Sequence, residues 1–429
     1  MNRRNFIIKS GLSSSIFSIV PSSVLGINGV SPNNKIQIGF IGAGRQGRGL
    51  MKNFTEYNEC QIIAVSDVDS QKVDFFSEEF ENKILKDNEK KVYIKKFEFY
   101  REMLQSTSVD AVVIATPDHW HAQMSVDSAK YGKDIYCEKP LSSTILEGRA
   151  MVNSARKYKV VYQTGSMQRS WKHFRHAAEL IQNGYIGEIK EVNVAIGDPH
   201  KQCDLPSLKS PDHLNWNEWI GPVPYRGYHP DLACLLEDKR WGQWRNYKPF
   251  GGGMITDFGA HMFDIVQWAL EMDNSGPKLF VPPKKNATLG LSYYYDNEVK
   301  VNHIKWGKGN NEIQFIGSEG KLEVSRRYLR TSPDKSLKDL IIPKNATKRV
   351  YQSDNHHLDW LNSIKNRTRP ICDVEIGHRT ASVCNICNIA YDLQRDLEWD
   401  AKKEIFVGDE SANLLIDRPY RGNWNYKEF

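Results

Sequence analysis

The sequence predicts an α/β fold in two domains, the first of them a doubly wound parallel sheet. Three observations point there. The chain has 429 residues, too many for one simple core. Ile36 to Ile41 is a β-branched and aromatic run with the composition of a buried parallel strand, and it leads directly into Gly42-Ala43-Gly44-Arg45-Gln46-Gly47. Short apolar strands then alternate with helical stretches, the pattern that parallel strands with crossover helices leave in a sequence.

Each glycine of the G-x-G-x-x-G pattern has its own role. Gly42 permits a tight turn, Gly44 lets backbone approach a pyrophosphate, and Gly47 lets helix and strand pack closely. The following helix, with Arg45 and Gln46 at its start, offers amides and a positive dipole end to phosphates. A second strand, Gln61 to Ser66, ends at Asp67. An acid at that distance accepts hydrogen bonds from the adenosine ribose hydroxyls and repels a 2′-phosphate, so NAD is preferred over NADP; Arg45 softens that preference. Ala111 to Ala115 is the next strand, and Thr116-Pro117-Asp118 ends it. Ligands of open parallel sheets sit outside the carboxyl ends of strands, so Thr116 and Pro117 face the cofactor. His119 and His121 precede a helix from Ala122 to Tyr131. Asp134 to Cys137 terminates in Glu138-Lys139-Pro140, and Val160 to Thr164 closes the sheet.

Composition narrows the class. Hydrophobic residues at 40% and charged residues at 26% suit an ordinary globular core. Of the net charge of +6, three come from Arg3, Arg4 and Lys9, which leaves about +3, too little and too dispersed to argue for nucleic acid. Cys384-x-x-Cys387 lies in a helical run with no second pair at metal-site spacing, so it reads as helix packing and no metal is expected. No run of 18 or more apolar residues is present, so no membrane span is expected. Residues 1–26 combine a charged start, a short serine-diluted apolar run and small residues near Gly26, the layout of a secretory signal. Arg3-Arg4-x-Phe6-Ile7-Ile8-Lys9 resembles the twin-arginine signal, which implies periplasmic or other export after folding.

ATPDHWHA followed by GKDIYCEKPLS, with IGFIGAGRQG, AVSDVD and GGGMITDFGAHMFD in order, resembles the Gfo/Idh/MocA family of glucose–fructose oxidoreductases and inositol dehydrogenases. The resemblance covers nearly the whole chain after the leader. It implies a Rossmann domain at 36–165, then an α/β domain at 166–396 with an open, mainly antiparallel sheet. Residues 397–429 are expected to wrap back on the body or to join a homo-oligomer interface. The resemblance places Lys139 of E-K-P beside the nicotinamide, and Asp257 and His261 of D-x-x-x-H at the reacting hydroxyl. It also brings His121 to the cofactor, with Glu138.

Oxidising an alcohol carbon needs a base for the hydroxyl proton and a donor for the developing oxygen charge. Four residues apart, Asp257 and His261 share one helical face. His261 serves as base, with Asp257 orienting it or binding substrate directly; Lys139 shares or replaces that role. Residues 200–250 are rich in Trp, Tyr, His and Arg. They read as a carbohydrate pocket with Tyr228, Trp244 and Arg245 as contacts, or as aromatics packing an insertion. Gln168 and Arg169 are placed in the same cleft. Further strands are expected at Ile189 to Ile196, Ala287 to Tyr294, Val299 to Trp306, Glu312 to Gly317 and Lys321 to Val324, and helices at Asp359 to Asn366 and His378 to Asp396.

The expected function is oxidation of a sugar or polyol hydroxyl with tightly bound NAD. One alternative is redox-neutral glycoside cleavage by oxidation, elimination and reduction. The NAD-dependent α-N-acetylgalactosaminidases that work this way have E-V-P where this chain has Glu138-Lys139-Pro140. A non-catalytic sugar-binding protein is the second alternative.

Overall fold

Six short strands, the inner ones rich in apolar residues, build the first sheet of a computed structural model that describes residues 35–87, 92–106, 108–285, 287–307, 309–422, 426 and 429. The leader lies outside the described residues. The strands are β1 (Ile36–Ile41), β2 (Cys60–Ser66), β3 (Lys95–Phe97), β4 (Ala111–Ile114), β5 (Asp134–Cys137) and β6 (Tyr162–Thr164). All pair in parallel, in the order β3-β2-β1-β4-β5-β6. Alternate residues serve opposite faces. Phe40, Val113 and Tyr136 pack with Phe54 and Phe76 on one side. Ile41, Val112, Ile114 and Ile135 pack with Val126 and Met151 on the other. The order reverses between β1 and β4, so their carboxyl-end loops part there and open a crevice.

The second sheet has nine strands: β7 (Ile189–Ala195), β10 (Leu279–Val281), β11 (Ser292–Tyr294), β12 (Lys300–His303), β13 (Glu312–Gly317), β14 (Lys321–Ser325), β15 (Leu329–Ser332), β16 (Leu397–Asp400) and β17 (Ile405–Phe406). A separate pair, β8 (Lys201–Gln202) and β9 (Tyr247–Lys248), braces the aromatic insertion. The large sheet runs β15-β14-β13-β7-β12-β11-β10-β16-β17, antiparallel except where β7 meets β12. Helices Lys172–Gln182, Gly259–Ala269 and Val374–Leu393 cover it and share its main core with Val192, Val301, Phe315 and Val324. Two expected strands are shorter than their sequences suggest. The first begins only after Gly290, which adopts φ +105°, and the second ends at His303. Several elements left no periodic trace. β10, β16 and β17 have two to four residues each, too few for an alternation to stand out. Among the described residues no helix is long and apolar enough to cross a membrane.

Two features lock the sheets together. Trp360, from the helix His356–Asn366 of the second half, is fully buried against Phe54 and Tyr136 of the first. After β16 and β17 the chain returns to the first sheet. Arg418 pairs with Glu147 at 2.5 Å and donates to the His119 carbonyl at 2.9 Å, and Arg421 donates to the Asn217 and Gly221 carbonyls.

Arg169 corrects a sequence expectation. It does not reach the cleft but is 1% exposed, with Nε and Nη2 on the Asp264 carboxylate at 2.8 Å each and Nη1 and Nη2 on Asp273 at 2.8 and 2.7 Å. Removing one member of such a buried set strands the other charges. Arg169→Met is expected to cost about 3–5 kcal/mol in urea unfolding. A loss under about 1 kcal/mol would contradict this assignment.

Candidate active site

The three glycines after β1 divide their work as their surroundings require. Gly42 has φ +102°, and a Cβ there would lie 2.7 Å from the Ala115 carbonyl oxygen. A Cβ on Gly47 would lie 2.1 Å from the Gly42 oxygen, so this glycine serves helix-to-loop packing. A Cβ on Gly44 would meet no protein atom within 4 Å. Its bare face opens into the cleft. The helix Arg45–Phe54 begins there with no side-chain cap and no acid in its first turn. Open amides, a positive helix end and a glycine facing empty space fit a dinucleotide pyrophosphate.

Asp67 lines the same cleft and also fastens the loops around it. Its Oδ2 accepts the Ala43 amide at 2.7 Å and its Oδ1 the Asp69 amide at 3.0 Å. Burial raises its pKa; Lys72 opposes the rise. Arg45 reaches across the cleft, donating to the Lys239 carbonyl at 2.6 Å and lying 5.1 Å from the Trp241 ring. Gln46 donates to Glu138 at 2.9 Å, which ties the glycine helix to the end of β5. Thr116 and Pro117 line the cleft from the end of β4.

The cleft encloses about 1000 Å³ between these loops and the second half of the chain. At their junction the Lys139 ammonium donates to the backbone oxygen of Asp257 at 3.0 Å and to its carboxylate Oδ1. Arg245 Nε lies 3.6 Å from the same oxygen. Burial alone would raise the Asp257 pKa, but Lys139 and Arg245 together outweigh it and hold the acid below its ordinary value. The helix expected to carry both Asp257 and His261 is broken at Phe258 into Gly253–Asp257 and Gly259–Ala269. Both side chains still line the cleft. Asp257 spends its hydrogen bonds on Lys139 and not on His261, whose Nδ1 has no partner among the described residues. Burial, then the Lys139 and Arg326 charges, keep His261 neutral by pushing its pKa well below the ordinary value.

Other expectations need correction. His121 is fully buried, with Nδ1 on the Pro140 carbonyl at 2.8 Å and Nε2 on the Thr116 carbonyl at 3.0 Å. The neutral imidazole donates to one of these carbonyls and sets its other nitrogen against the second, so the ring braces the loop backbone and does not line the cleft. Gln168 spans the His261 carbonyl at 3.3 Å and Arg326 Nε at 2.8 Å, and so props the site from behind. Tyr228 packs edge-on to Trp216 within the insertion core and donates to the Ala233 carbonyl at 3.3 Å. Trp244 and Arg245 do line the cleft, and the guanidinium lies 4.3 Å from the indole.

Two cleft residues escaped sequence reasoning. Asp118, 4% exposed, has its carboxyl pushed well up by burial, with Arg245 opposing and Asp257 adding to the rise. Its place directly after Thr116-Pro117 at a strand end was the signal. Arg326, in the turn between β14 and β15, carried none.

Two expectations follow. Gly44→Ala leaves unfolding free energy within about 0.5 kcal/mol of the parent yet weakens NAD binding by about tenfold or more, whereas Gly47→Ala destabilises the fold. Calorimetric titration and urea unfolding separate the two, and a Gly44→Ala protein with parental NAD affinity would refute the pyrophosphate assignment. The second concerns His121, whose pKa burial pushes down to about 4. Between that value and the ordinary 6.5 the unfolded chain binds a proton that the folded chain does not. Its contribution to stability is therefore full above about pH 6.5 and is lost as pH falls toward 4. Imidazole NMR should find His121 neutral at pH 5.5; a charged ring there would contradict the burial account.

Comparison with known proteins agrees with this geometry. Residues 36–166 match the family model described as oxidoreductase family, NAD-binding Rossmann fold. Residues 199–426 match that of the oxidoreductase family C-terminal alpha/beta domain. Over 164 residues the chain is 27% identical to a myo-inositol 2-dehydrogenase of Thermotoga maritima, a stretch that is 38% of this chain and 46% of that protein. Over 140 residues it is 32% identical to a glycosyl hydrolase family 109 protein of Shewanella woodyi, 32% of this chain and 28% of that one. The chain thus spans less than half the length of either relative. The fold resembles that of the WlbA dehydrogenase from Bordetella pertussis, solved in complex with NADH and UDP-GlcNAcA, with a TM-score of 0.59 at 15% identity over 85% of this chain and 99% of that one. The chain belongs to the Gfo/Idh/MocA oxidoreductase family, with an NAD-binding Rossmann domain followed by the family's C-terminal α/β domain.

Proposed function

We propose that this protein oxidises a hydroxyl-bearing carbon of a sugar or polyol with NAD. The meeting of Lys139, Asp257 and His261 in one cleft that opens onto the glycine loop carries the reading. Bound NAD supplies the acceptor for the hydride. As the carbonyl forms, the O–H proton goes to His261, while the carbon's hydrogen would leave as hydride to the bound cofactor. Neutral and buried, with Nδ1 unpartnered among the described residues, His261 has a lone pair to accept that proton. Lys139, held in place by Asp257, donates to the same oxygen and steadies its developing charge. Trp244 and Arg245 give the cleft an apolar face beside a donor, suited to sugar C–H surfaces and hydroxyls. The likeness to a myo-inositol 2-dehydrogenase supports the reading.

Glycoside cleavage through the same oxidation is the second reading. The likeness to a family 109 glycosyl hydrolase supports it, and so does Asp118, whose raised pKa keeps a proton available for a departing glycosidic oxygen. A panel of sugars, polyols and glycosides, followed at 340 nm and by product analysis, distinguishes the readings. Net NADH without bond cleavage is expected, with rates lowered about 10²–10⁴-fold in Lys139→Ala and His261→Ala. Cleavage without net NADH would favour the second reading. Activity unchanged in both variants would sink either.

A further inference from the structure

Arg326 is a cleft residue that the chemistry above leaves unused. Its guanidinium is fixed from three directions. Nε donates to Gln168 Oε1 at 2.8 Å, and the group lies 5.3 Å from the Phe258 ring and 5.7 Å from the Trp171 ring. Nη1 and Nη2 have no protein partner among the described residues. Asp257 is the acid that acts on it electrostatically, yet that carboxylate is already engaged by Lys139 and Arg245. Burial accordingly lowers the Arg326 pKa, although a guanidinium stays charged.

A half-buried guanidinium with a pre-set planar fork, whose one acidic neighbour is shared with Lys139 and Arg245, is under-compensated. A neutral polyol would leave that charge uncompensated. A carboxylate satisfies it, because two parallel N–H donors match two oxygens. Arg245 adds a second cation to the same cleft, with Nη1 on the Gly242 carbonyl at 3.1 Å and Nε 3.6 Å from Asp257 Oδ1.

We propose that the substrate is an anionic carbohydrate, a uronic or aldonic acid, whose carboxylate Arg326 grips through both terminal nitrogens. This rests on the reading of the cleft as a carbohydrate site and names the substrate class. Gln168 gains a positioning role as well. That side chain joins the Arg326 grip to the His261 backbone, so the carboxylate and the reacting hydroxyl are held in register.

The test uses NAD-loaded protein and matched probes: D-glucose with D-glucuronate, D-galactose with D-galacturonate, and glucose 6-phosphate. Calorimetry reads binding, and absorbance at 340 nm with product analysis reads reaction. In at least one pair the uronate should bind about tenfold or more tighter than its neutral partner. Arg326→Gln should abolish that preference, and Arg326→Lys should keep part of it, as a point charge without a fork. Retained NAD reports that each variant is folded. Uronates that bind no tighter than neutral sugars in both pairs overturn the proposal. So does a preference that survives Arg326→Gln, or tighter binding of the phosphate than of the uronates. Should the uronate be preferred through Arg326 but neither oxidised nor cleaved, the grip stands and the oxidation reading falls. Should neutral sugars be oxidised with no preference, the oxidation reading stands and the grip falls.

Discussion

The ion pair between Lys139 and Asp257 joins the two halves of the molecule at the point where chemistry is possible, and the rest of the cleft is arranged around it. Lys139 hangs from the end of β5 in the first sheet; Asp257 ends a short helix packed against Gly259–Ala269 and Val374–Leu393, the helices of the second. Both are largely buried, so their attraction must offset the loss of water. The backbone oxygen of Asp257 and the nearby Arg245 help to do so. The pairing decides roles as well as position. With Asp257 committed to Lys139, the His261 ring makes no hydrogen bond to that acid, and burial, then the Lys139 and Arg326 charges, keep the imidazole neutral.

Around this centre, cations and aromatics close the cleft from the second half of the chain. Arg45 bridges from the glycine helix to the Lys239 carbonyl and Trp241. Arg245 links Trp244 to Asp257, and the C-terminal return pins the His119 loop through Arg418. The shape of the site is therefore set by contacts between segments far apart in sequence.

That separation explains what the sequence revealed and what it hid. The strand, glycines and helix at the start of the first domain were legible because each glycine answers a local steric demand, and Asp67 follows at a fixed reach. Lys139, Asp257 and His261 were legible through motifs of the family. Arg169, Gln168 and Tyr228 were misplaced because a buried arginine, glutamine or tyrosine looks the same in sequence whether it braces the fold or touches a ligand. The partners of Arg169 stand 95 and 104 residues away. Arg326 lies in a turn with no pattern, and only the folded chain shows that its terminal nitrogens have no partner among the described residues.

Catalysis in this cleft depends on Asp257 acting through Lys139. A double-mutant cycle with Lys139→Gln and Asp257→Asn, read as kcat/KM for the best sugar in the panel, tests it directly. Strong non-additivity is expected, with the double variant no slower than Lys139→Gln alone. Additive losses would contradict it and would assign Asp257 an independent role at the substrate.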